Sequence, residues 1–213
     1  RRQRQMCIRD SWQIIETNND LLLRLINDIL DLSKIESGII ERKPEKFNLA
    51  RICNEVYTMV QPKVTNPEVK FFMDNSRPAC WVFLDSNRLK QVWMNFLTNA
   101  VKCTQSGYVK MGYTVEREGI RIYVEDTGTG IPKELQNQVF GRFQKLNDFA
   151  QGTGLGLAIS KAITEAAGGE IGFTSEPGVG SLFWAYIPCK IDIGSYACLL
   201  YTSDAADDRI SVD

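Results

Sequence analysis

Asp126-Thr127-Gly128-Thr129-Gly130-Ile131-Pro132 follows directly on an alternating apolar run, Gly119-Ile120-Arg121-Ile122-Tyr123-Val124-Glu125. The alternation predicts a β-strand with one buried face. Such a strand delivers a carboxylate into a loop whose glycines, Gly128 and Gly130, permit φ > 0 and let a ligand approach the backbone closely. An ionised carboxylate only accepts hydrogen bonds, so it suits a donor such as an exocyclic amine. Taken alone, an Asp-x-Gly-x-Gly segment is more often a plain turn than a binding site. The reading therefore depends on what surrounds it.

On the N-terminal side, residues 49–60 read as a helix and residues 69–73 and 81–84 as strands. Asp85-Ser86 is placed to cap a helix over residues 87–103. Residues 108–116 and 120–125 form two strands in hairpin order. On the C-terminal side a loop-rich stretch spans 132–151, and Gly152-Thr153-Gly154-Leu155-Gly156-Leu157 opens a helix running to about residue 167. Gly168-Gly169 stops that helix, and strands over 170–175 and 181–188 close the unit. Hairpins of strands interleaved with helices, without βαβ alternation, predict an α+β two-layer sandwich: one mixed sheet with helices on one face.

Ahead of this unit, apolar residues at Ile15, Leu22, Leu25, Ile26, Ile29, Leu32 and Ile35 fall at helical steps over residues 12–39. Leu23 and Leu30 widen the stripe beyond a two-stranded seam, which fits a helix buried on more than one side, as in a four-helix bundle. Its partners then come from elsewhere, including another chain; packing on its own domain is the alternative. Gly38 is placed to end it. Residues 1–11 and the segment from 195 to 213 continue no pattern and look like non-native additions. The expected organisation is a leader (1–11), a long helix (12–40), a globular unit (44–191) and a tail (192–213).

Composition narrows the chemistry. The 213 residues carry 25 Lys and Arg against 26 Asp and Glu, so nothing points to nucleic acid. The cysteines, Cys7, Cys53, Cys80, Cys103, Cys189 and Cys198, are scattered without a Cys-x-x-Cys pair, which favours reduced thiols and a cytoplasmic setting. No apolar run approaches membrane-spanning length. Histidine is absent, which removes imidazole base and His–metal chemistry from this chain.

Within the predicted 87–103 helix, Asn95, Asn99 and Lys102 are spaced by four and three and share one face. Amide oxygens suit a hard cation such as Mg²⁺, and an ammonium suits phosphate; a solvated polar face is the plainer reading. The Gly152–Leu157 turn places backbone N–H groups and the positive end of a helix dipole where an anion would sit. It is not a dinucleotide fingerprint, since no parallel βαβ unit surrounds it.

Together, in this order, the Asn95–Lys102 face, the Asp126 loop, Phe140-Gly141-Arg142-Phe143 and the second glycine turn resemble the N, G1, F and G2 boxes of sensor histidine kinases. Residues 28–38 (DILDLSKIESG) resemble the end of the second helix of that family's dimerisation and phosphoacceptor hairpin. The resemblance covers roughly residues 12–191. It implies the ATP-binding fold shared with gyrase, Hsp90-type chaperones and mismatch-repair proteins, and ATP and Mg²⁺ as ligands. The site residues it implies are Asn95, Asn99, Lys102, Asp126, Gly128, Gly130, Ile131, Gly152, Thr153, Gly154, Leu155, Gly156 and Leu157. Among them Asp126 would accept the adenine amino group, Asn99 with Asn95 would hold the metal, and Lys102 would contact phosphate. Lys145 would sit near the γ-phosphate, with Asn95, Lys102 and Lys145 serving catalysis and Phe140 and Phe143 anchoring a lid. Relatives that hydrolyse ATP carry a water-activating Glu where this chain has Asn95, so the resemblance favours phosphoryl transfer to a protein. It further implies a homodimer, a response-regulator receiver domain as partner, and the cytoplasmic side of an inner-membrane sensor. An ATP-binding regulatory or scaffold module is the alternative. Two departures stand out: Cys103 replaces the usual aromatic residue beside adenine, and no acceptor histidine is present.

Overall fold

The computed structural model describes residues 12, 15, 18, 19, 22, 23, 25–34, 37, 43–74, 80–116, 118–144 and 153–192. The expected leader, Gly38, Lys145, Gly152 and residues 193–213 lie outside them. Residues 25–34 are helical (α1), as are the described residues between 12 and 23. There follow β1 (Glu45–Asn48), α2 (Leu49–Val60), β2 (Val69–Met73), β3 (Trp81–Leu84), α3 (Ser86–Cys103), β4 (Gly107–Glu116) and β5 (Gly119–Asp126). The short α4 (Lys133–Gln136), α5 (Gly156–Ala166), β6 (Glu170–Glu176), β7 (Gly180–Pro188) and β8 (Lys190–Asp192) complete the order.

Local chemistry explains the two helices that build the core. Asn48 accepts the Arg51 N–H at 3.2 Å and starts α2, whose Leu49, Ile52, Cys53, Val56 and Val60 form one buried stripe. Asp85 accepts the N–H groups of Asn87 and Arg88, both at 3.1 Å, and starts α3. The apolar face of α3 buries Leu89, Val92, Trp93, Phe96, Leu97 and Ala100. α5 stops after Ala166; just beyond it Gly168, with φ 77, and Gly169 donate to the carbonyls of Glu165 and Thr164.

The two-layer α+β class holds. The main sheet has the order β2-β4-β5-β7-β6; β2 and β4 run parallel and the other pairs antiparallel. The expectation of a single sheet does not hold, because β3 pairs with β1 and β8 in a separate antiparallel sheet. β1 and β8 are four and three residues long and largely polar, so neither has a strand pattern of its own. They are recruited by the buried Val82 of β3, which sits opposite Phe47 on one side and Ile191 on the other.

In β5, Ile120, Ile122 and Val124 face the helices and are fully covered, whereas Arg121, Tyr123 and Glu125 lie on the other face. Period two places Asp126, not another aliphatic, at the next inward position. Its carboxylate is thereby carried into the core layer. On the outer face the Arg121 guanidinium lies 4.3 Å from the Trp184 ring centroid.

The α1 helix is split between the two packings its sequence allows. Leu25 packs on the globular core, and Leu32 is buried. Ile26, Ile29 and Leu30 of α1, and Trp12, Ile15, Leu22 and Leu23 ahead of it, are exposed.

Candidate functional site

Asp126 ends β5 with only 6% of its surface exposed. Gly128 N–H donates to Asp126 Oδ1 at 2.8 Å, and the Ser181 backbone N–H also hydrogen-bonds the carboxylate. Burial pushes this carboxyl above the ordinary aspartate range, overriding the two backbone bonds that lower it; the neighbouring Glu125 charge adds to the rise. A carboxylate has about four lone-pair sites, so acceptor capacity remains for a ligand amine.

The loop after Asp126 is tied down on both sides. Thr129 N–H donates to the Cys103 carbonyl at the end of α3 at 3.2 Å, and Gly178 N–H donates to the Thr129 carbonyl at 2.8 Å. The two glycines have different duties. Gly130 has φ 64, and a Cβ there would lie on the Glu176 carbonyl oxygen. Gly128 does not use positive φ, contrary to the expectation; it is required because a Cβ would come within 2.5 Å of the Cys103 carbonyl oxygen. The Cys103 thiol beside this loop is raised by burial and by the Asp126 charge.

Asn95 and Asn99 are half-buried on α3, and Lys102 is exposed near its end. Asn95 Nδ2 donates to the Gly156 carbonyl at 2.8 Å and to Ser160 Oγ at 3.0 Å, so its amide hydrogens brace α3 against the first turn of α5. Asn95→Ala removes both bonds: buried Ser160 Oγ loses its donor, while the Gly156 carbonyl keeps the Ser160 hydroxyl, which donates to it at 2.9 Å. We expect the substitution to destabilise the fold by about 1–3 kcal/mol, read as a shift in urea midpoint.

Thr153, Gly154, Leu155, Gly156 and Leu157 form the turn into α5, and Leu155 is fully buried. The helix begins at Gly156, within the expected glycine-rich turn, with no side chain capping it. Its first N–H groups thus point out beside Asn95. Thr153 Oγ1 accepts from Leu155 N–H at 3.2 Å and donates to Asp28 Oδ2 of α1 at 3.0 Å. Asp31 of α1 accepts from Arg88 Nη1 at 3.2 Å and Gln91 Nε2 at 3.0 Å on α3.

Phe140 packs edge-on against Phe173 with ring centroids 5.8 Å apart, as an anchor should. Phe143 does not anchor; it is exposed, with φ 57, because its backbone packs where Gly154 has no Cβ. Sequence reasoning missed Ser160 and Ser175. Ser160 was findable as a buried hydroxyl one turn from Gly156. Ser175 bonds to Ile131, 44 residues away, and no local pattern announces it. Among the described residues no group of three or more Asp, Glu or Cys side chains forms a metal cluster.

α3 therefore connects the assembled parts: its end holds the Asp126 loop, and its middle holds the α5 turn. The model of the family described as histidine kinase-, DNA gyrase B-, and HSP90-like ATPase matches residues 84–191. The chain belongs to this family. It is 40% identical over 190 residues to the circadian input-output histidine kinase CikA of Synechococcus elongatus, covering 84% of this chain and 25% of that protein. It is 37% identical over 188 residues to hybrid signal transduction histidine kinase B of Dictyostelium discoideum, covering 83% of this chain and 10% of that protein. Among solved structures, full-length ShkA in complex with AMPPNP superposes with a TM-score of 0.78 at 28% identity, covering 86% of this chain and 39% of that one. Both curated relatives are named as histidine kinases, and within the family the matched region is the catalytic ATP-binding domain of the sensor histidine kinase class. The chain spans a quarter or less of these curated relatives.

Proposed function

We propose that this chain is the ATP-binding, phosphoryl-donating part of a sensor histidine kinase, transferring the γ-phosphoryl group of ATP to a histidine supplied from outside this chain. The observation that carries the reading is the double attachment of α3, by Cys103 to the Asp126 loop and by Asn95 to the α5 turn. An amine-accepting carboxylate and an uncapped helix N-terminus are thereby held on one rigid element.

In this reading the buried Asp126 carboxylate accepts the adenine amino group. The first N–H groups of α5 and the Lys102 ammonium bind phosphate oxygens, with Lys145 reaching the γ-phosphate. The amide oxygens of Asn99 and Asn95 are hard donors that fit Mg²⁺, which when bound neutralises phosphate charge. Ile131 and the turn from Gly152 to Leu157 shape the base and phosphate ends. No side chain at Asn95 takes a proton from water, so positioning and charge neutralisation favour transfer over hydrolysis. The relatives' names, one a hybrid kinase, support a receiver domain as the next acceptor. The exposed stripe from Trp12 to Leu30 supports a homodimer through this helix; in this reading residues 12–40 belong to the dimerisation hairpin and 44–191 form the catalytic domain. The cytoplasm is the compartment that supplies ATP and reduced thiols.

Titration calorimetry with ATP, with and without Mg²⁺, tests the pocket; transfer of labelled phosphate to a histidine-bearing hairpin tests the kinase. Absence of ATP binding by a folded sample sinks the proposal. Binding without transfer supports a regulatory module instead.

The raised carboxyl of Asp126 gives a pH signature. ATP affinity should begin to fall on acidification above the usual aspartate range, as the acceptor is protonated. Stability moves the other way. Because the folded value exceeds the unfolded one, the folded state binds the proton more tightly, and this residue's destabilising contribution is relieved as pH falls through that window. Affinity and urea midpoint measured across the window should diverge.

A further inference from the structure

We propose that Ser175 is a positioning residue for base recognition, its hydroxyl fixing both strands of backbone that hold Asp126. The proposal rests on the ATP-binding reading above and concerns a residue that touches no nucleotide itself.

Ser175 Oγ lies 2.8 Å from Ile131 N, 3.0 Å from the Gly180 carbonyl and 2.9 Å from Ser181 Oγ. A hydroxyl donates once. With its proton on Gly180, it accepts from Ile131 N–H and from the Ser181 hydroxyl. Ile131 is almost wholly buried, so its N–H has no water to turn to. The Ile131 carbonyl is tied to the same place: Gln136 Nε2 donates to it at 3.0 Å and to the Ser175 carbonyl at 3.2 Å.

The other side of the clasp reaches Asp126 directly. Ser181 lies opposite Ser175 in the β6–β7 ladder and opposite Asp126 in the β5–β7 ladder. Its backbone N–H is one of the two bonded to the Asp126 carboxylate. One hydroxyl therefore sets the exit of the Asp126 loop at Ile131 and the neighbouring strand at Ser181. Loss of the hydroxyl frees the carboxylate's surroundings while leaving α3 and α5, the phosphate side, untouched.

The test compares ATP with inosine triphosphate, which carries a carbonyl oxygen in place of the adenine amine. The full chain, Ser175→Ala and Ser175→Thr are titrated with both nucleotides by calorimetry. The unaltered chain should prefer ATP. Ser175→Ala should lose roughly tenfold of that preference, the worth of one well-placed hydrogen bond, with inosine triphosphate affinity unchanged. Ser175→Thr, which keeps the hydroxyl, should restore the preference.

An unaltered chain that binds no ATP defeats the functional reading itself. A Ser175→Ala variant with an unchanged ATP-to-inosine ratio, or with both affinities lowered equally, overturns this inference and leaves that reading standing. Should Ser175→Ala not fold, amide exchange of the unaltered chain decides: slow exchange at Ile131 supports the clasp, and fast exchange overturns it.

Discussion

Asp126→Asn should lose ATP binding while folding as well as the unaltered chain. The side chain ends the inward row of β5, where a charge is costly, and burial already raises its carboxyl. The amide is neutral and keeps an oxygen that can accept the Gly128 and Ser181 N–H groups, so thermal stability at neutral pH should be unchanged or higher. Binding responds differently. A hydrogen bond to a charged acceptor contributes about 1.5–3 kcal/mol, and an amide that presents its own N–H toward the adenine amine forfeits it. Kd should rise roughly 10- to 150-fold. Calorimetry on the variant beside a melting curve makes the comparison. Unchanged affinity would remove Asp126 from the site, and a collapse of stability would assign it to the fold.

Gly130→Ala should damage both fold and site, through the backbone. At φ 64 an alanine costs about 1–2 kcal/mol. Its Cβ would also meet the Glu176 carbonyl oxygen and approach Pro177 Cα at 3.0 Å, forcing the β6–β7 hairpin away from the loop. Overpacking of this kind adds about 1–3 kcal/mol. The urea midpoint should fall by the equivalent of about 2–5 kcal/mol, taking the two together, with weaker ATP binding. Gly178→Ala separates the causes. Gly178 has φ 77 but nothing within 4 Å of its would-be Cβ, so only the conformational cost should appear. Equal losses in the two variants would show that the contact with Glu176 contributes nothing.

The site was legible where one segment holds both the signal and its physical cause. Asp85 before an apolar-periodic run marks the start of α3, and the run itself sets which face of that helix is buried. Asn95, Asn99 and Lys102 then fall on the remaining face by spacing alone. Alternation through Ile120, Ile122 and Val124 likewise points Asp126 inward before any coordinate is known. The start of α5 was harder. Glycines at 152, 154 and 156 mark a turn, and the start at Gly156 follows packing against Asn95 more than any local stop signal.

Sequence by itself thus determined the α+β class, the strand that ends in Asp126, the polar face of α3, and the order of segments that identifies the family. These are properties of period and local capping, and each is contained within about twenty residues. Tertiary structure alone decided that β1, β3 and β8 leave the main sheet, that Gly128 serves close approach and not positive φ, and that Phe143 faces solvent. It also decided that Asn95 braces α5, that Asp28 and Asp31 bring α1 onto the globular unit, and that Ser175 closes the Asp126 loop. Those outcomes rest on hydrogen bonds and contacts between residues as much as 125 positions apart. Such a contact leaves no trace in the periodicity of either segment, because it satisfies a polar group that each segment, read alone, would leave to water.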